Sequence, residues 1–221
     1  MKGAWLFDLD GTLADTDRDI RGAWKAALRD LGLECPDFDD RFVTGPPIDE
    51  VVRTLFPGSC DDRLIADVRA GFGRHYDGDG FPATREYPGV LDAVRRIRSA
   101  GFTVLIATNK RHAGATAMAA RFGWMSVFDG LYAGDMHMDD PAVGKLRKPE
   151  LLRLILRERG LSAADCTMVG DTVSDFEAAR ANGIRSIGVT WGYGTPGELA
   201  LADMTVSSPD ELVGILRGDS P

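Results

Sequence analysis

Residues 5–17 read WLFDLDGTLADTD, an apolar run that stops at Asp8 and is followed by three more aspartates. The segment Ala4–Phe7 is apolar at every position, which is typical of a strand buried on both faces of a parallel sheet. In an extended segment, side chains at positions i and i+2 point to the same side, so Asp8 and Asp10 can face one pocket while Leu9 points away. The stretch therefore predicts a chemical site at the end of the first strand.

Three later segments have the same strand-like character, and helical patterns alternate with them. These apolar runs are residues 103–107, 166–169 and 186–189. Apolar residues at helical spacing precede Gly101, Gly160 and Gly183, and glycine is a frequent helix stop. Strands that alternate with helices indicate an α/β fold with right-handed crossovers. We therefore predict a doubly wound, mostly parallel sheet with a Rossmann-like core.

The interval from about residue 17 to residue 86 breaks this alternation, because it contains no convincing strand. Three sets of apolar residues recur there at helical spacing instead. Thr16 with Asp19 resembles a capping box that opens the first of these helices. We predict a helical cap domain at 17–86, inserted after the first strand into an α/β catalytic domain formed by 1–16 and 87–221.

The composition is that of a folded globular protein, with 221 residues, 44% hydrophobic and 27% charged. A formal net charge of −8 argues against nucleic acid polymers and anionic membranes as partners. The three cysteines are too scattered for a disulfide framework, and no segment resembles a signal peptide or a membrane span. These features predict a cytoplasmic protein. An anionic substrate must then be attracted locally, by a metal or a few cations.

In open α/β sheets, ligands bind beyond the carboxyl ends of the strands. Four segments bring polar groups to that edge: Asp8-Leu9-Asp10, Thr108-Asn109-Lys110, Lys148-Pro149, and Gly170-Asp171 with Asp175 four residues on. The convergence of acids, a hydroxyl and a lysine on one edge is far more informative than any single residue. It indicates a catalytic site.

The motifs resemble those of the haloacid dehalogenase-like phosphohydrolase superfamily, in the same order and across almost the whole chain. The matches are Asp8-Leu9-Asp10-Gly11-Thr12 to the first motif (DxDGT), Thr108 to the second, Lys148 before Pro149 to the third, and GDTVSD at 170–175 to the fourth. The helical interval looks like the C1-type cap of that family. The segment GVTWGYG at 188–194 is similar to one found in phosphoglycolate phosphatase-like members.

The resemblance implies a role for each matching residue. Asp8 would be the nucleophile that forms an aspartyl-phosphate. Asp10 would protonate the leaving oxygen and then take a proton from the attacking water. Lys148 would hold the phosphate and neutralise its charge, while Thr108 and the backbone N–H of Asn109 would hydrogen-bond the phosphate oxygens.

Mg²⁺ is the expected cofactor, because several carboxylates cannot share a pocket without a counter-charge. This ion favours octahedral oxygen ligation and typically uses one or two carboxylates plus substrate phosphate. By resemblance, its protein ligands would be Asp8, the backbone carbonyl of Asp10, and Asp171. Gly11 permits the sharp exit from the first strand. Asp175 would either ligate the metal through water or support the lysine.

Some residues have competing interpretations. Lys145 lies close enough to rival Lys148, although Pro149 favours Lys148 at a helix start. Asp15 and Asp17 are expected to be structural acids near the first cap helix. Residues 192–197 satisfy GxGxxG, but too little chain follows them for a dinucleotide-binding unit.

The leading functional hypothesis is a Mg²⁺-dependent phosphatase acting on a small phosphorylated metabolite, with phosphoglycolate as the type of substrate. A pyrophosphatase, a nucleotidase or a sugar phosphomutase of the same superfamily would use the same groups. A receiver-type signalling module also combines a phosphoacceptor Asp with Thr, Lys and Mg²⁺. Such a module is about half this length and has no helical insertion after its first strand.

Overall fold

The computed structural model describes residues 2–78, 80–137 and 144–216. The chain divides into two compact units, one formed by Met1–Asp15 with Arg85–Pro221 and the other by Thr16–Thr84. None of the helices within the described ranges combines the length and the hydropathy required to cross a membrane.

The helices that lie between the second and third strands along the chain all belong to the smaller unit. The elements are β1 (Ala4–Phe7), β2 (Ala14–Asp15), α1 (Asp17–Asp30), α2 (Phe38–Arg41), α3 (Ile48–Leu55), α4 (Asp62–Gly78), β3 (Arg85–Glu86), α5 (Val90–Ser99), β4 (Thr103–Thr108), α6 (His112–Phe122), β5 (Gly130–Ala133), α7 (Lys148–Arg159), β6 (Cys166–Gly170), α8 (Val173–Ala181), β7 (Arg185–Val189), α9 (Pro196–Leu199), β8 (Met204–Val206) and α10 (Pro209–Ile215).

The larger unit contains a six-stranded sheet in the order β5-β4-β1-β6-β7-β8, with every neighbouring pair parallel. Strand β1 lies in the middle, and its last residue Phe7 pairs with Ile106 of β4 and Val169 of β6. All four residues of β1 are buried, as expected for a strand covered on both faces. The predicted doubly wound α/β fold is confirmed, and the carboxyl ends of β4, β1 and β6 lie side by side.

Two strands of this sheet, β5 and β8, are absent from the sequence-based prediction. They form the two edges of the sheet and are only partly buried, so they carry little of the continuous apolar signal of the central strands. A separate ribbon pairs β2 with β3, which the prediction also missed. Each of its strands is only two residues long, too short to show any periodicity.

The smaller unit has its own core, in which Trp24, Val52 and Val68 are buried among residues of α1, α3 and α4. The predicted capping box is wrong. Thr16 occupies the N-cap position of α1, but its side chain makes no capping hydrogen bond. Asp19 instead accepts hydrogen bonds from the backbone N–H of Ala83 at 3.0 Å and from the Thr84 N–H and hydroxyl at 2.7 and 2.6 Å. Partners far along the chain replace the local cap.

Candidate active site

The loop that follows β1 continues the strand for one residue and then turns sharply. The N–H of Asp8 donates to the Val169 carbonyl at 2.9 Å, so Asp8 is still held against β6. The Leu9 carbonyl accepts the N–H of Leu13 at 2.9 Å, and Gly11 has a φ of +82°. Leu9 is fully buried while the Asp10 side chain is 20% exposed. The two aspartates therefore leave the strand on the pocket side.

Lys148, the first residue of α7, lies at the centre of the site. Its Nζ donates to Asp8 Oδ1 at 2.6 Å and to Asp175 Oδ1, and its side chain is only 2% exposed. Pro149 follows it in the first turn of the helix, a position that proline favours because no N–H is needed there. Lys145 is exposed. Of the two candidate lysines, the structure places Lys148 against the proposed nucleophile.

Asp175 has both carboxylate oxygens engaged. Oδ1 accepts from Lys148, while Oδ2 accepts from the Thr172 N–H at 3.1 Å and the Thr172 hydroxyl at 3.2 Å. Thr172 is the N-cap residue of α8, and Asp175 completes a capping box with it. The geometry fits support of the lysine.

Asp171 is clamped from two sides. Its Oδ1 accepts from the Thr12 hydroxyl at 3.2 Å, and its Oδ2 accepts from the Tyr193 N–H at 2.8 Å. A Cβ atom added at Gly11 or at Gly192 would collide with this side chain, so both loops approach the carboxylate as closely as glycine allows. Asp171 is fully buried. Its orientation is thus fixed by contacts far apart in sequence.

The loop after β7 contains the residues that sequence reasoning missed. Trp191 Nε1 donates to the Thr12 carbonyl at 3.2 Å, and the Tyr193 hydroxyl donates to Asp15 Oδ1 at 3.0 Å. This loop carries the glycine pattern at 192–197, which packs against Asp171. The sequence does carry one signal for this loop, which is its position after the carboxyl end of a parallel strand. The other site residues lie at the same edge of the sheet.

The segment after β4 contributes three polar residues. Thr108 is buried, and its Oγ1 accepts the Lys110 N–H at 3.1 Å, which leaves the hydroxyl proton able to point at an anion. The Asn109 side chain donates to Ser174 Oγ at 3.1 Å. Lys110 Nζ contacts Asp10 Oδ1 at 2.7 Å and Oδ2 at 3.0 Å, a contact that no sequence pattern predicted.

Three carboxylates form an acid cluster, defined here as Asp8, Asp171 and Asp175, in which one oxygen of each lies within 4.8 Å of the others. Asp15 instead accepts a hydrogen bond from the Tyr193 hydroxyl, and Asp17 forms an ion pair with Arg21. The cluster is buried and contains more negative charge than the single ammonium of Lys148 can balance.

The pKa values reflect this imbalance. Burial raises the pKa of Asp8 to about 7, against the opposing attraction of Lys148 and with a further increase from Asp175. Burial, followed by the charges of Asp175 and Asp8, raises the pKa of Asp171 to about 8. Burial alone would lower the pKa of Lys148, but Asp175 and Asp8 outweigh it and raise the pKa, so the lysine stays charged.

These shifts predict that the metal-free protein loses stability as pH rises. A carboxyl with a raised pKa keeps its proton in the folded state when the unfolded state has lost it, so the free energy of unfolding falls with increasing pH. For Asp8 and Asp171 the window runs from about pH 4 to about pH 8. Lys148 contributes a constant amount there, because its pKa lies far above this window in both states.

Urea unfolding in EDTA at pH 5.5, 6.5 and 7.5 would measure this effect. We expect a loss of about 1.4 kcal/mol per pH unit for each carboxyl in the middle of the window. Asp171→Asn should reduce the slope, because it removes one titrating group, while Asp165→Asn, an exposed acid before β6, should not. A free energy that is flat or rises between pH 5.5 and 7.5 would contradict the prediction.

Comparison with known proteins relates the whole chain to one family. The family model described as haloacid dehalogenase-like hydrolase matches residues 5–189. The phosphoglycolate phosphatase of Neisseria gonorrhoeae is 31% identical, over 96% of this chain and 89% of that protein. The 5'-nucleotidase of Pseudomonas aeruginosa is 29% identical, over 88% and 85% respectively. A solved structure of a haloacid dehalogenase-like family hydrolase from Streptococcus pneumoniae has a TM-score of 0.84 at 26% identity, covering 97% of this chain and 98% of that one.

Proposed function

Because this chain belongs to the haloacid dehalogenase-like hydrolases, we propose that it is a Mg²⁺-dependent phosphatase that acts through an aspartyl-phosphate on Asp8. The observation that carries the proposal is the buried Lys148 ammonium, which joins Asp8 to Asp175 beside Asp171. A nucleophile, a fixed cation and oxygen ligands thus meet in one pocket. That combination suits a phosphoryl group, which carries negative charge on each of its free oxygens.

In the first chemical step, a carboxylate oxygen of Asp8 attacks the phosphorus and forms the aspartyl-phosphate bond. The bond from phosphorus to the ester oxygen breaks, and Asp10 gives its proton to that oxygen. In the second step Asp10 takes a proton from water, whose oxygen attacks the phosphorus. The aspartyl-phosphate bond then breaks, which releases inorganic phosphate and restores Asp8. The net reaction consumes one ester and one water and yields an alcohol and phosphate.

Lys148 stabilises charge throughout this cycle. Its raised pKa keeps the ammonium protonated, and its two carboxylate partners fix its position. A preorganised cation in a buried site stabilises the developing charge more strongly than one in water does. The Thr108 hydroxyl and the Asn109 N–H would bind the phosphate oxygens, as the sequence analysis expects.

The donor set fits Mg²⁺. The ion would be held by carboxylate oxygens of Asp8 and Asp171 and by the Asp10 carbonyl, all hard oxygen donors of the kind it favours. Asp175 is better assigned to Lys148, since its Oδ1 already has that ammonium as a counter-charge. Within the described part of the chain, the two oxygens of Asp171 accept only from neutral groups, the Thr12 hydroxyl and the Tyr193 N–H. When bound, Mg²⁺ supplies the positive charge that the acid cluster lacks and offsets the charge of the phosphate.

The substrate is proposed to be a small phosphorylated metabolite such as 2-phosphoglycolate. The relative from Neisseria gonorrhoeae, a phosphoglycolate phosphatase, supports this choice. The 5'-nucleotidase of Pseudomonas aeruginosa, similar over most of its length, keeps a nucleoside monophosphate as the second candidate. The role of residues 17–86 as a substrate-selecting cap and the cytoplasmic location stay predictions.

A panel of phosphate compounds tests the proposal. We expect release of inorganic phosphate from 2-phosphoglycolate in Mg²⁺, with kcat/KM at least tenfold above the values for 5'-nucleotides, sugar phosphates and pyrophosphate, and no release in EDTA. A preference for 5'-nucleotides would reassign the substrate to the second candidate. Isomerisation of a sugar phosphate without phosphate release would indicate a mutase. Stoichiometric labelling without turnover of any compound would refute the phosphatase assignment and favour a receiver-type module.

A further inference from the structure

Lys110 faces Asp10, the proposed acid and base, from the neighbouring strand end. Its ammonium contacts both carboxylate oxygens, at 2.7 and 3.0 Å, in a two-point contact. The Lys110 side chain is only 5% exposed, whereas Asp10 is 20% exposed. A lysine held by a carboxylate at both oxygens restricts rotation of that carboxylate about its last side-chain bond.

The backbone around Lys110 fixes the position from which its side chain extends. Lys110 follows Thr108, the last residue of β4, and its N–H donates to Thr108 Oγ1 at 3.1 Å. The strand β4 is paired with β1, so the two loops that carry Lys110 and Asp10 leave adjacent strands. Two neighbouring buried strands thus set the distance between the groups, although they lie 100 residues apart in sequence.

From these contacts we infer that Lys110 is a positioning residue, which holds the Asp10 carboxylate toward the reacting oxygen. The inference rests on the proposed function, because it assigns Lys110 to the same reaction. Lys110 forms no bond to the substrate. Its charge stabilises the carboxylate that Asp10 becomes after giving its proton to the leaving group, ready to accept one from water.

Two phosphate esters separate this role from substrate binding. p-Nitrophenyl phosphate has a good leaving group that needs no proton, whereas 2-glycerol phosphate releases an alkoxide that does. With Lys110→Met we expect kcat/KM for 2-glycerol phosphate to fall about 10- to 100-fold, as part of the 10²- to 10⁴-fold that general acid–base catalysis contributes. For p-nitrophenyl phosphate kcat/KM should change less than about threefold.

The second step gives an independent readout. Because Asp10 must also activate water, Lys110→Met should release one equivalent of p-nitrophenol in a burst and then turn over slowly, with phosphate bound to the protein. Lys110→Arg retains the cation and should restore most of the rate. Lys2→Met, which removes an exposed lysine of the same unit, should behave as the wild type. Adding Lys110→Met to Asp10→Asn should not slow loss of the bound phosphate further, because the lysine then has no carboxylate to position.

Three results would overturn the role of Lys110. They are an equal loss of kcat/KM for both esters without a burst, which indicates substrate binding; unchanged kinetics in Lys110→Met; and an additive effect in the double variant. A wild-type protein that hydrolyses neither ester in Mg²⁺ would instead refute the proposed function itself. The two failures are therefore distinguishable.

Discussion

Replacing Asp8 by Asn should lower kcat by about four orders of magnitude or more, because the amide cannot form an aspartyl-phosphate. Measurement should use phosphate release from 2-phosphoglycolate and acid-stable labelling of the protein, and both signals should disappear together. Asp92→Asn, an exposed acid on α5, is the matched control and should retain the wild-type rate. Turnover within tenfold of wild type in Asp8→Asn would mean that the nucleophile is misassigned.

The same substitution should raise the stability of the metal-free protein, although it removes the activity. Burial raises the pKa of Asp8 to about 7, so its ionised form is unfavourable in the metal-free fold. An amide keeps the shape and the acceptor oxygen for Lys148 but carries no charge. In EDTA at pH 8, the Asp8→Asn protein should therefore unfold at a higher temperature than the wild type. Loss of activity with a gain in stability is the pattern of a residue retained for function, and a lower unfolding temperature would contradict it.

Removing the proposed Mg²⁺, or the buried Asp171 that we propose as its ligand, should have the second largest effect. EDTA should stop turnover, and added Mg²⁺ should restore it. We expect Asp171→Asn to lower kcat/KM about 10²- to 10⁴-fold, since metal charge stabilisation is worth several kcal/mol in the transition state. Asp165→Asn is the control. It changes an exposed acid just before β6 and should leave the rate unchanged.

Calorimetric titration with Mg²⁺ separates loss of metal from loss of structure. The wild-type protein should bind one Mg²⁺ with release of protons near pH 7, because the raised pKa values leave the acid cluster partly protonated without metal. The Asp171→Asn protein should bind much more weakly while it keeps its fold by circular dichroism. Unchanged Mg²⁺ affinity in this variant, or full activity of the wild type in EDTA, would remove Mg²⁺ from the proposal.

Much of the fold was predictable because burial of the central strands leaves an apolar pattern that can be recognised in the sequence. The segment Ala4–Phe7 is apolar throughout and occupies the middle of the sheet. Burial on both faces leaves no polar position, which is the signal that identified it. The edge strands β5 and β8 lack that signal, and their pairing depends on neighbours far along the chain.

The first helix of the smaller unit gives the clearest case of a local pattern overridden by tertiary contacts. The spacing of Thr16 and Asp19 suits a capping box, but Asp19 finds three stronger partners at Ala83 and Thr84. A carboxylate that accepts several N–H and O–H groups gains more than one local cap can give. At α8 the box does form, because Asp175 accepts from Thr172 through Oδ2 and from the distant Lys148 through Oδ1.

The sequence by itself determined which side chains could react: Asp8 and Asp10 lie two residues apart on an extended segment, so covalent geometry alone turns them to one side. It also placed Thr108 and Asp171 at one edge, because the carboxyl ends of parallel strands share that edge. Only the tertiary structure decided how each group is held. The hydrogen bond from Thr12 to Asp171 and the contact between Lys110 and Asp10 join residues 100 or more positions apart. No local pattern encodes a distance that is set by the packing of neighbouring strands and loops.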